Sequence, residues 1–283
     1  MKKCLKVCAI SLVLSLFLSG ISFGTENKLL RVISLAPSST EILFALGLDQ
    51  EIVGVSQYCN YPKSVHGKER IGTFSQPDIE KIISLKPDII FCTSLEQAPA
   101  VAKLRQLGFK VCVSDPSNLK ELFASIKEMG QLVNKEYAAN SLIDKMKTGI
   151  KSVTDMVASV PESQRPKAYV EFWGNPIMTA GSGSLIDELI AASGGINIAS
   201  NAKKNYSYFS AEDVIKQNPD VIILCYMQKK NALDTIKSRF GWRDISAVRN
   251  GRVYNDVDPD TILRPGPRIV DGLVEMHKRF YPQ

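Results

Sequence analysis

Residues 78–92 read DIEKIISLKPDIIFC, and residues 210–224 read SAEDVIKQNPDVIIL. Five of the fifteen aligned positions are identical, and each segment begins with a residue, Asp78 or Ser210, of a type favoured at helix N-caps. Each segment predicts a short helix, a Pro-Asp turn and a buried strand. Because units of this kind are common, the match suggests two similar halves without establishing them.

The sequence on either side of both segments alternates short β-rich runs with helical patterns. Strands are expected at 31–35, 52–55, 89–92, 110–113, 168–172, 221–225 and 252–254. Helices are expected at 40–46, 79–85, 101–107, 185–192, 211–217 and 267–280. This alternation predicts α/β halves, each with a mostly parallel sheet covered by helices on both faces.

Between the two halves, residues 134–160 keep apolar side chains at helical spacing without an interrupting proline. An unbroken helix here would be about 40 Å long, and Pro161 ends it. The sequence therefore predicts two Rossmann-like lobes, 25–133 and 161–283, joined by a single long α-helix. Clefts between domains are favoured ligand sites, and one stiff connection would limit hinge motion.

The first residues have the composition of a secretory signal. Lys2, Lys3 and Lys6 precede an apolar run at 10–18, and small residues at 22 and 24 offer a cleavage site after Gly24. The apolar run is too short to span a membrane comfortably. We therefore expect residues 1–24 to be a signal peptide and the mature protein to be exported.

The residues behind the apolar run also bear on anchoring. A lipoprotein would need a cysteine directly after its small-residue triplet, but Leu18-Ser19-Gly20 is followed by Ile21, so no lipid anchor is expected. The net charge of +6 falls to +3 once the three signal lysines are removed. That balance is ordinary and does not indicate a nucleic-acid partner.

Motifs for catalysis and for metal binding are not found in the sequence. The two histidines, His66 and His277, lie far apart and are interpreted as solvated side chains. No nucleophile elbow or phosphate-binding glycine loop is present, and the Gly-Ser stretch at 181–184 is interpreted as a turn with an N-cap. No catalytic residue and no metal site are predicted.

The cysteines of the mature chain are scattered in sequence. Their spacing is no metal-binding signature, although an oxidising compartment would permit disulfides. We expect all of them to be structural, with one disulfide possible. They are Cys59, Cys92, Cys112 and Cys225.

Aromatic residues in the loops are the strongest functional signal. Several follow the carboxyl ends of predicted strands, where α/β proteins bind ligands. These aromatic residues are Tyr58, Tyr61, Phe74, Trp173, Tyr206, Tyr208 and Phe209. Any one ring could instead pack on its own lobe, but their number favours a large, flat, partly apolar ligand.

Five stretches together resemble the helical-backbone class of substrate-binding proteins that serve ABC importers. They are RVISLAPSSTEILFALG at 31–47, GVSQYCNYP at 54–62, IEKIISLKPDII at 79–90, FWGNPIMTAG at 172–181 and RPGPRI at 264–269. The class takes up cobalamin, siderophores and haem, and the stretch at 54–62 is most similar to its cobalamin-binding members. The resemblance implies a periplasmic protein that holds a corrinoid such as vitamin B12 between its lobes.

The same resemblance implies roles for individual residues. Tyr58 would stack on the corrin ring, and Phe74, Trp173 and Tyr206 would form walls, although Phe74 and Tyr206 stand where tryptophan is expected. Asp260 and Arg264 fall in a loop that reaches the ligand in such proteins, unless Arg264 only begins the last helix. The implied ligand-binding residues are Tyr58, Phe74, Trp173, Tyr206, Asp260 and Arg264.

The resemblance also implies a partner, an ABC importer made of a permease and an ATPase. Glu80 and Glu212, at equivalent places in the two similar segments, would dock one lobe each onto the permease. A carboxylate near a helix N-terminus is favourable in any case, which is the simpler explanation for either residue alone.

Two alternative functions stay open. The same fold could bind haem, which would need a histidine or tyrosine ligand, or a ferric siderophore, which would need a cluster of arginines in the cleft. A secreted α/β enzyme would need a nucleophile paired with a base, and the sequence offers none.

Overall fold

A computed structural model describes residues 29–202, 206–226 and 232–282. The predicted signal peptide at 1–24, its cleavage after Gly24 and the absence of a lipid anchor concern residues outside these ranges. Among the described residues, no helix combines the length and the apolar character that crossing a membrane requires.

Among the described residues, the first half of the chain contains four strands and four α-helices. They are β1 (Val32–Ser34), α1 (Pro37–Ala45), β2 (Ile52–Val55), α2 (Ile79–Leu85), β3 (Ile89–Cys92), α3 (Ala98–Gln106), β4 (Val111–Val113) and α4 (Leu119–Leu132). A long helix, α5 (Glu136–Val157), follows.

The second half contains the remaining described strands and α-helices. They are β5 (Lys167–Gly174), β6 (Ile177–Ala180), α6 (Leu185–Ala192), β7 (Ile196–Asn197), β8 (Tyr206–Tyr208), α7 (Ala211–Gln217), β9 (Val221–Leu224), α8 (Ala232–Ser238), α9 (Ser246–Arg249), β10 (Val253–Tyr254), α10 (Asp260–Leu263) and α11 (Ile269–Phe280).

Each half is built on its own sheet, which confirms the predicted two-lobed α/β fold. The first sheet has the strand order β2-β1-β3-β4, and all its neighbouring strands are parallel. Its central strands β1 and β3 are buried along their whole length, as expected for strands with helices on both faces.

The second sheet combines a parallel part with an antiparallel extension. Strands β10, β9, β5 and β7 pair in parallel, whereas β6 and β8 continue from β5 as antiparallel strands. The sequence did not predict β6 or β8. Their exposed faces lack the uniformly apolar pattern by which the buried strands were found.

The internal similarity extends to individual hydrogen bonds. Asp78 and Ser210 cap α2 and α7, each accepting a hydrogen bond from the backbone N–H three residues ahead. Both helices end at a residue in the left-handed conformation.

Beyond those ends, an aspartate in each lobe binds the start of the lobe's central strand. Asp88 accepts a hydrogen bond from the backbone N–H of Arg31, just before β1, at 2.8 Å. Asp220 accepts one from the backbone N–H of Lys167, the first residue of β5, at 2.9 Å.

The long helix α5 is shorter than predicted. It contains 22 residues and is therefore about 33 Å long, because residues 134–135 before it and 158–160 after it are not α-helical. Asn134 has a positive φ of 55°, which separates α5 from α4. Helix α4 was not predicted as a separate element. Gly130 lets the two helices approach closely, since a Cβ at Gly130 would lie 2.5 Å from the Cβ of Ala139.

The described cysteines are all free thiols, so the expected possibility of a disulfide is not realised. Cys59, Cys92, Cys112 and Cys225 are all buried. Burial, reinforced by the neighbouring Cys112, raises the pKa of the Cys92 thiol to about 12. The Cys92 thiol therefore stays protonated and behaves as a small apolar core residue.

The two histidines differ from one another. His66 is exposed, as predicted, whereas the prediction of a solvated side chain is wrong for His277. His277 is half-buried, its Nδ1 lies 3.1 Å from the carbonyl oxygen of Ser193, and its ring packs against Tyr281. The helix that carries it has an apolar face packed on α5 and α6, which draws the imidazole into a structural contact.

Gly149 lies where α11 crosses α5 at short range. A Cβ at this position would meet Val270 Cγ1 at 2.5 Å, which is too close for an unshifted contact. We expect Gly149→Ala to lower the free energy of unfolding by about 1–3 kcal/mol, as overpacking does in other cores. Urea denaturation measures this, with the exposed Lys145→Ala of the same helix as the control. Equal stability of the two variants would contradict the prediction.

Candidate functional site

A large cavity opens at the carboxyl ends of the strands of the first sheet and faces the second lobe. Its volume is about 1140 Å³, at the upper end of the range typical of small-molecule sites. The first lobe contributes residues that follow β1, β2, β3 and β4, and the second lobe contributes the start of α6 and the loop around α10. Lining residues from the first lobe include Pro37, Gln57, Tyr58, Asn60, Phe74, Ser94, Glu96 and Asp115.

The structure brings five of the six predicted ligand-binding residues to this cavity. Those five residues are Tyr58, Phe74, Tyr206, Asp260 and Arg264. Trp173 is not among the residues that line the cavity. Glu80 and Glu212, predicted to dock onto a permease, are also outside the lining and are exposed to solvent.

Aromatic rings from both lobes remain accessible in the cavity. Tyr58 of the first lobe is 55% exposed and Tyr206 of the second lobe is 58% exposed. Phe172 supports Tyr206 from the side, with an edge-to-face contact at 5.5 Å between ring centroids. Large rings left in contact with water next to a cavity offer apolar area that a flat ligand would bury.

The backbone of Phe74 is held by a buried glutamine, Gln97, which no sequence pattern distinguishes. Gln97 Nε2 donates to the carbonyl oxygens of Leu35 and Phe74 at 2.9 and 2.8 Å, and Gln97 Oε1 accepts from the N–H of Thr93 at 2.8 Å. Gln97 thereby joins three of the loops that line the cavity. A helix-start glutamine is common in sequences, so only its contacts distinguish it.

Asp260 and Arg264 belong to an ion-pair cluster between the lobes. At its centre is Glu41 of α1, which is almost fully buried. Arg268 binds both carboxylate oxygens of Glu41, at 2.9 and 2.8 Å, and Arg264 Nη1 donates to the same carboxylate at 3.1 Å. Two guanidinium groups of the second lobe therefore neutralise one buried carboxylate of the first lobe.

Further contacts extend the cluster to the cavity wall. Arg264 also pairs with Asp260 at 2.9 Å, and its Nη1 donates to Asn60 Oδ1 at 2.6 Å. Asn60 Nδ2 donates to Asp260 Oδ2 at 3.1 Å. The hydrogen bonds that Arg268 donates to Glu41 raise the pKa of Arg268 well above its usual value, although partial burial acts in the opposite direction. Arg264 thus lines the cavity with its charge already balanced by protein carboxylates.

A second buried carboxylate lies beneath the second-lobe wall. Glu171 on β5 is fully buried and accepts two hydrogen bonds from Arg239, both at 2.8 Å. It also accepts hydrogen bonds from the hydroxyls of Tyr169 and Tyr226. Tyr226 lines the cavity, and burial together with the charge of Glu171 raises its pKa, so its hydroxyl stays protonated.

The described lining of the cavity carries more carboxylates than cations. Four of the lining residues are acidic and one, Arg264, is basic. The acidic ones are Glu96, Asp115, Asp258 and Asp260. Asp258 pairs with Arg268, and Asp115 accepts a hydrogen bond from Ser94. Among the described residues, no cluster of three or more histidine, cysteine or acidic side chains could hold a metal ion.

The chain is similar in sequence to known binding proteins. The profile of the family described as periplasmic binding protein matches residues 32–259. An ABC transporter substrate-binding lipoprotein, YvrC of Bacillus subtilis, is 32% identical over 257 residues, which cover 89% of this chain and 80% of the relative. A vitamin B12-binding protein of Vibrio cholerae is 30% identical over 250 residues, covering 87% of each.

Solved structures give the same result for the fold. A possible iron-binding, periplasmic solute-binding protein from Staphylococcus epidermidis has a TM-score of 0.79 at 32% identity and covers 89% of this chain and 98% of its own. The periplasmic heme-binding protein RhuT from Roseiflexus has a TM-score of 0.78 at 26% identity, with coverages of 89% and 98%. The chain therefore belongs to the periplasmic binding protein family, a family of binding proteins rather than enzymes.

Proposed function

We propose that this protein is the substrate-binding protein of an ABC importer and that its ligand is a corrinoid such as vitamin B12. The observation that carries the proposal is the cavity itself, which is large and has accessible tyrosine rings on both lobes. A wide macrocycle would bury those rings without needing a charged anchor. The 30% identity with a vitamin B12-binding protein supports the same ligand.

Haem is the main competing ligand, since a heme-binding protein is among the structural relatives. Haem iron needs a protein ligand such as histidine or tyrosine. No histidine is among the described residues of the lining. Tyr206 and Tyr226 both line the cavity, and partial burial raises the pKa of each, so both hold their protons more tightly than an isolated phenol does. Tyr58 is left as the candidate iron ligand if haem binds.

A ferric siderophore fits the described lining less well. Anionic iron complexes are bound by arginine and lysine clusters. The described lining offers one arginine, and Glu41 and Asp260 already neutralise it, while further carboxylates face the same space. An anionic ligand would therefore meet net repulsion from this part of the wall.

Calorimetric titration of the mature protein tests the proposal. We expect cyanocobalamin or cobinamide to bind with one-to-one stoichiometry, and haemin and a ferric hydroxamate to give no saturable heat. Haemin binding in the absence of any corrinoid binding would contradict the ligand assignment while leaving the family assignment intact. The visible spectrum of the purified protein gives an independent reading, because corrinoid, haem and ferric bands differ.

Substitutions at Tyr58 separate ring stacking from iron ligation. If Tyr58 stacks on a corrin ring, Tyr58→Ala weakens binding by roughly 1–3 kcal/mol, comparable to losing a stacked base. Tyr58→Phe keeps the ring and should bind the corrinoid nearly as well as the unmodified protein. If haem iron binds the hydroxyl, Tyr58→Phe instead removes the ligand and shifts the haem spectrum.

The remaining assignments complete the proposed role. We propose that the protein is periplasmic after removal of residues 1–24, without a lipid anchor, although the Bacillus subtilis relative carries the name lipoprotein. Fractionation after export, with and without a lipoprotein-processing inhibitor, tests whether the protein has a lipid anchor.

We further propose that the two lobes comprise residues 25–133 and 161–283, and that residues 134–160 join them. Glu80 and Glu212 are proposed to dock the lobes onto the permease.

A further inference from the structure

The antiparallel extension of the second sheet carries a row of large side chains outside the cavity. In the strand register, Trp173 on β5 pairs with Met178 on β6, and Met178 pairs with Tyr208 on β8. Cross-strand partners have Cβ atoms only about 5 Å apart and point to the same face of a sheet. We name these three residues the aromatic shelf.

The aromatic shelf is continuous with the cavity wall. Tyr206, which lines the cavity, lies two residues before Tyr208 on the same strand, and alternate residues of a strand share one face. Tyr206 pairs with Ala180, which likewise lies two residues from Met178. The face that closes one side of the cavity therefore runs outward from Tyr206 onto the shelf.

The rings of the aromatic shelf are unusually accessible. Trp173 is 55% exposed and Tyr208 is 75% exposed. The indole of Trp173 is held in place, because its Nε1 donates to the carbonyl oxygen of Asn175 at 2.9 Å. The indole N–H therefore already has a hydrogen-bond partner in the protein, and Trp173 offers a ligand the apolar surface of its ring.

We propose that the aromatic shelf is an outer subsite that binds the heteroaromatic base of a complete corrinoid, while the corrin ring occupies the cavity. This inference rests on the proposed corrinoid function. The edge of a corrin ring carries flexible amide chains, which are poor partners for stacking. The base at the end of the nucleotide loop is the flat aromatic group of the ligand, and flat bases stack on exposed aromatic side chains.

The test compares a corrinoid that has the base with one that lacks it. Cyanocobalamin and cobinamide are titrated separately into the unmodified protein, Tyr208→Ala and Trp173→Ala. We expect each substitution to weaken cyanocobalamin binding about tenfold, the effect of losing one stacked ring, and to leave cobinamide binding nearly unchanged. Tyr208→Phe, which keeps a ring, should bind both as the unmodified protein does.

Tyr137→Ala serves as the matched control, because Tyr137 is 89% exposed on α5 and is not part of the cavity lining. It should leave the binding of both corrinoids unchanged. Thermal melting of every variant identifies any that is misfolded. If Tyr208→Ala is misfolded, Tyr208→Leu replaces it.

Three results would be decisive against the proposal or its premise. If the unmodified protein binds neither corrinoid, the proposed function fails and the shelf proposal fails with it. If both corrinoids bind normally to Tyr208→Ala and Trp173→Ala, the corrinoid function stands and the subsite does not exist. Equal weakening of both corrinoids would place the effect in the cavity wall and would also overturn the subsite.

Discussion

Glu41→Ala is expected to lower the free energy of unfolding by about 3 kcal/mol, the low end of the cost of breaking a buried ion pair. Glu41 is the only carboxylate of the cluster that is almost fully buried, and it neutralises Arg264 and Arg268 from the opposite lobe. Its removal leaves two guanidinium groups, each with little contact with water, whose remaining ion-pair partners among the described residues are aspartates of their own lobe. Urea denaturation followed by circular dichroism measures the loss.

Asp258→Ala is the matched control for this prediction. Asp258 pairs with the same Arg268, at 3.1 Å, but its side chain is about half exposed. An exposed pair contributes about 0–1 kcal/mol, so Asp258→Ala should change the unfolding free energy little. If Glu41→Ala and Asp258→Ala had the same small effect, burial of Glu41 would not be what makes the cluster stabilising.

The same substitution should reach the ligand site. Arg264 and Asp260 line the cavity and take their geometry from Glu41 and Asn60. Without Glu41, Arg264 keeps its pair with Asp260 but loses its contact with the first lobe's carboxylate, so its position at the cavity wall is less firmly held and the cluster carries one negative charge fewer. We therefore expect weaker corrinoid binding by Glu41→Ala and, if a siderophore is the true ligand, tighter binding of that anion.

Local pattern was enough to predict much of the fold. The boundaries of α2, α6 and α7 agree with the predicted helices at 79–85, 185–192 and 211–217. Each follows a capping residue, and a proline or glycine lies just beyond its end, at positions 87, 194 and 219. The buried strands β3 and β9 were recognised as short apolar runs. The similarity between 78–92 and 210–224 anticipated that both halves use one structural unit.

What the sequence did not predict depends on contacts between distant residues. Glu41 lies 223 residues from Arg264, and neither its burial nor its partners can be inferred from local periodicity. Strands β6 and β8 expose one face and are too short for an alternating pattern to be distinguished from a loop. Strand β5 has a bulge between Glu171 and Trp173, which interrupts the alternation of side chains between the two faces of the sheet. The face on which Trp173 lies therefore follows from the strand register and not from the sequence alone.

The docking prediction concerns Glu80 and Glu212, which occupy the same place in their lobes. Each is the second residue of its helix, two positions after the capping residue, and each is exposed. Within the described residues, neither forms an ion pair or a side-chain hydrogen bond. Two exposed carboxylates, one on each lobe, suit a contact with two positively charged sites on a two-subunit permease.

A simpler explanation for both residues has to be separated from docking. A carboxylate in the first turn of a helix gains about 0.3–1 kcal/mol from the helix dipole. That gain acts on the stability of the lobes and has no consequence for transport. It would explain each glutamate alone, whereas docking explains why both lobes keep a glutamate at the same offset from the cap.

Uptake in a reconstituted importer distinguishes the two explanations. We expect the double variant Glu80→Ala, Glu212→Ala to bind the corrinoid as the unmodified protein does, because neither residue lines the cavity, and to reduce uptake close to the level without binding protein. Charged pairs at an interface steer encounter and fix register, so the loss should be smaller at high ionic strength, where salt already screens this attraction in the unmodified protein. The double variant Glu128→Ala, Glu136→Ala removes two other exposed glutamates and controls for net charge.

The pattern of single variants then shows how the two lobes share the contact. If each lobe meets one permease subunit, Glu80→Ala and Glu212→Ala should each reduce uptake partly, and the charge reversals Glu80→Lys and Glu212→Lys should reduce it further, because they add repulsion to the lost attraction. Restoring uptake to one reversal by an arginine-to-glutamate change on the permease would identify the facing residue. Normal uptake by the double alanine variant would show that these glutamates only stabilise their helices and that the permease contacts another surface.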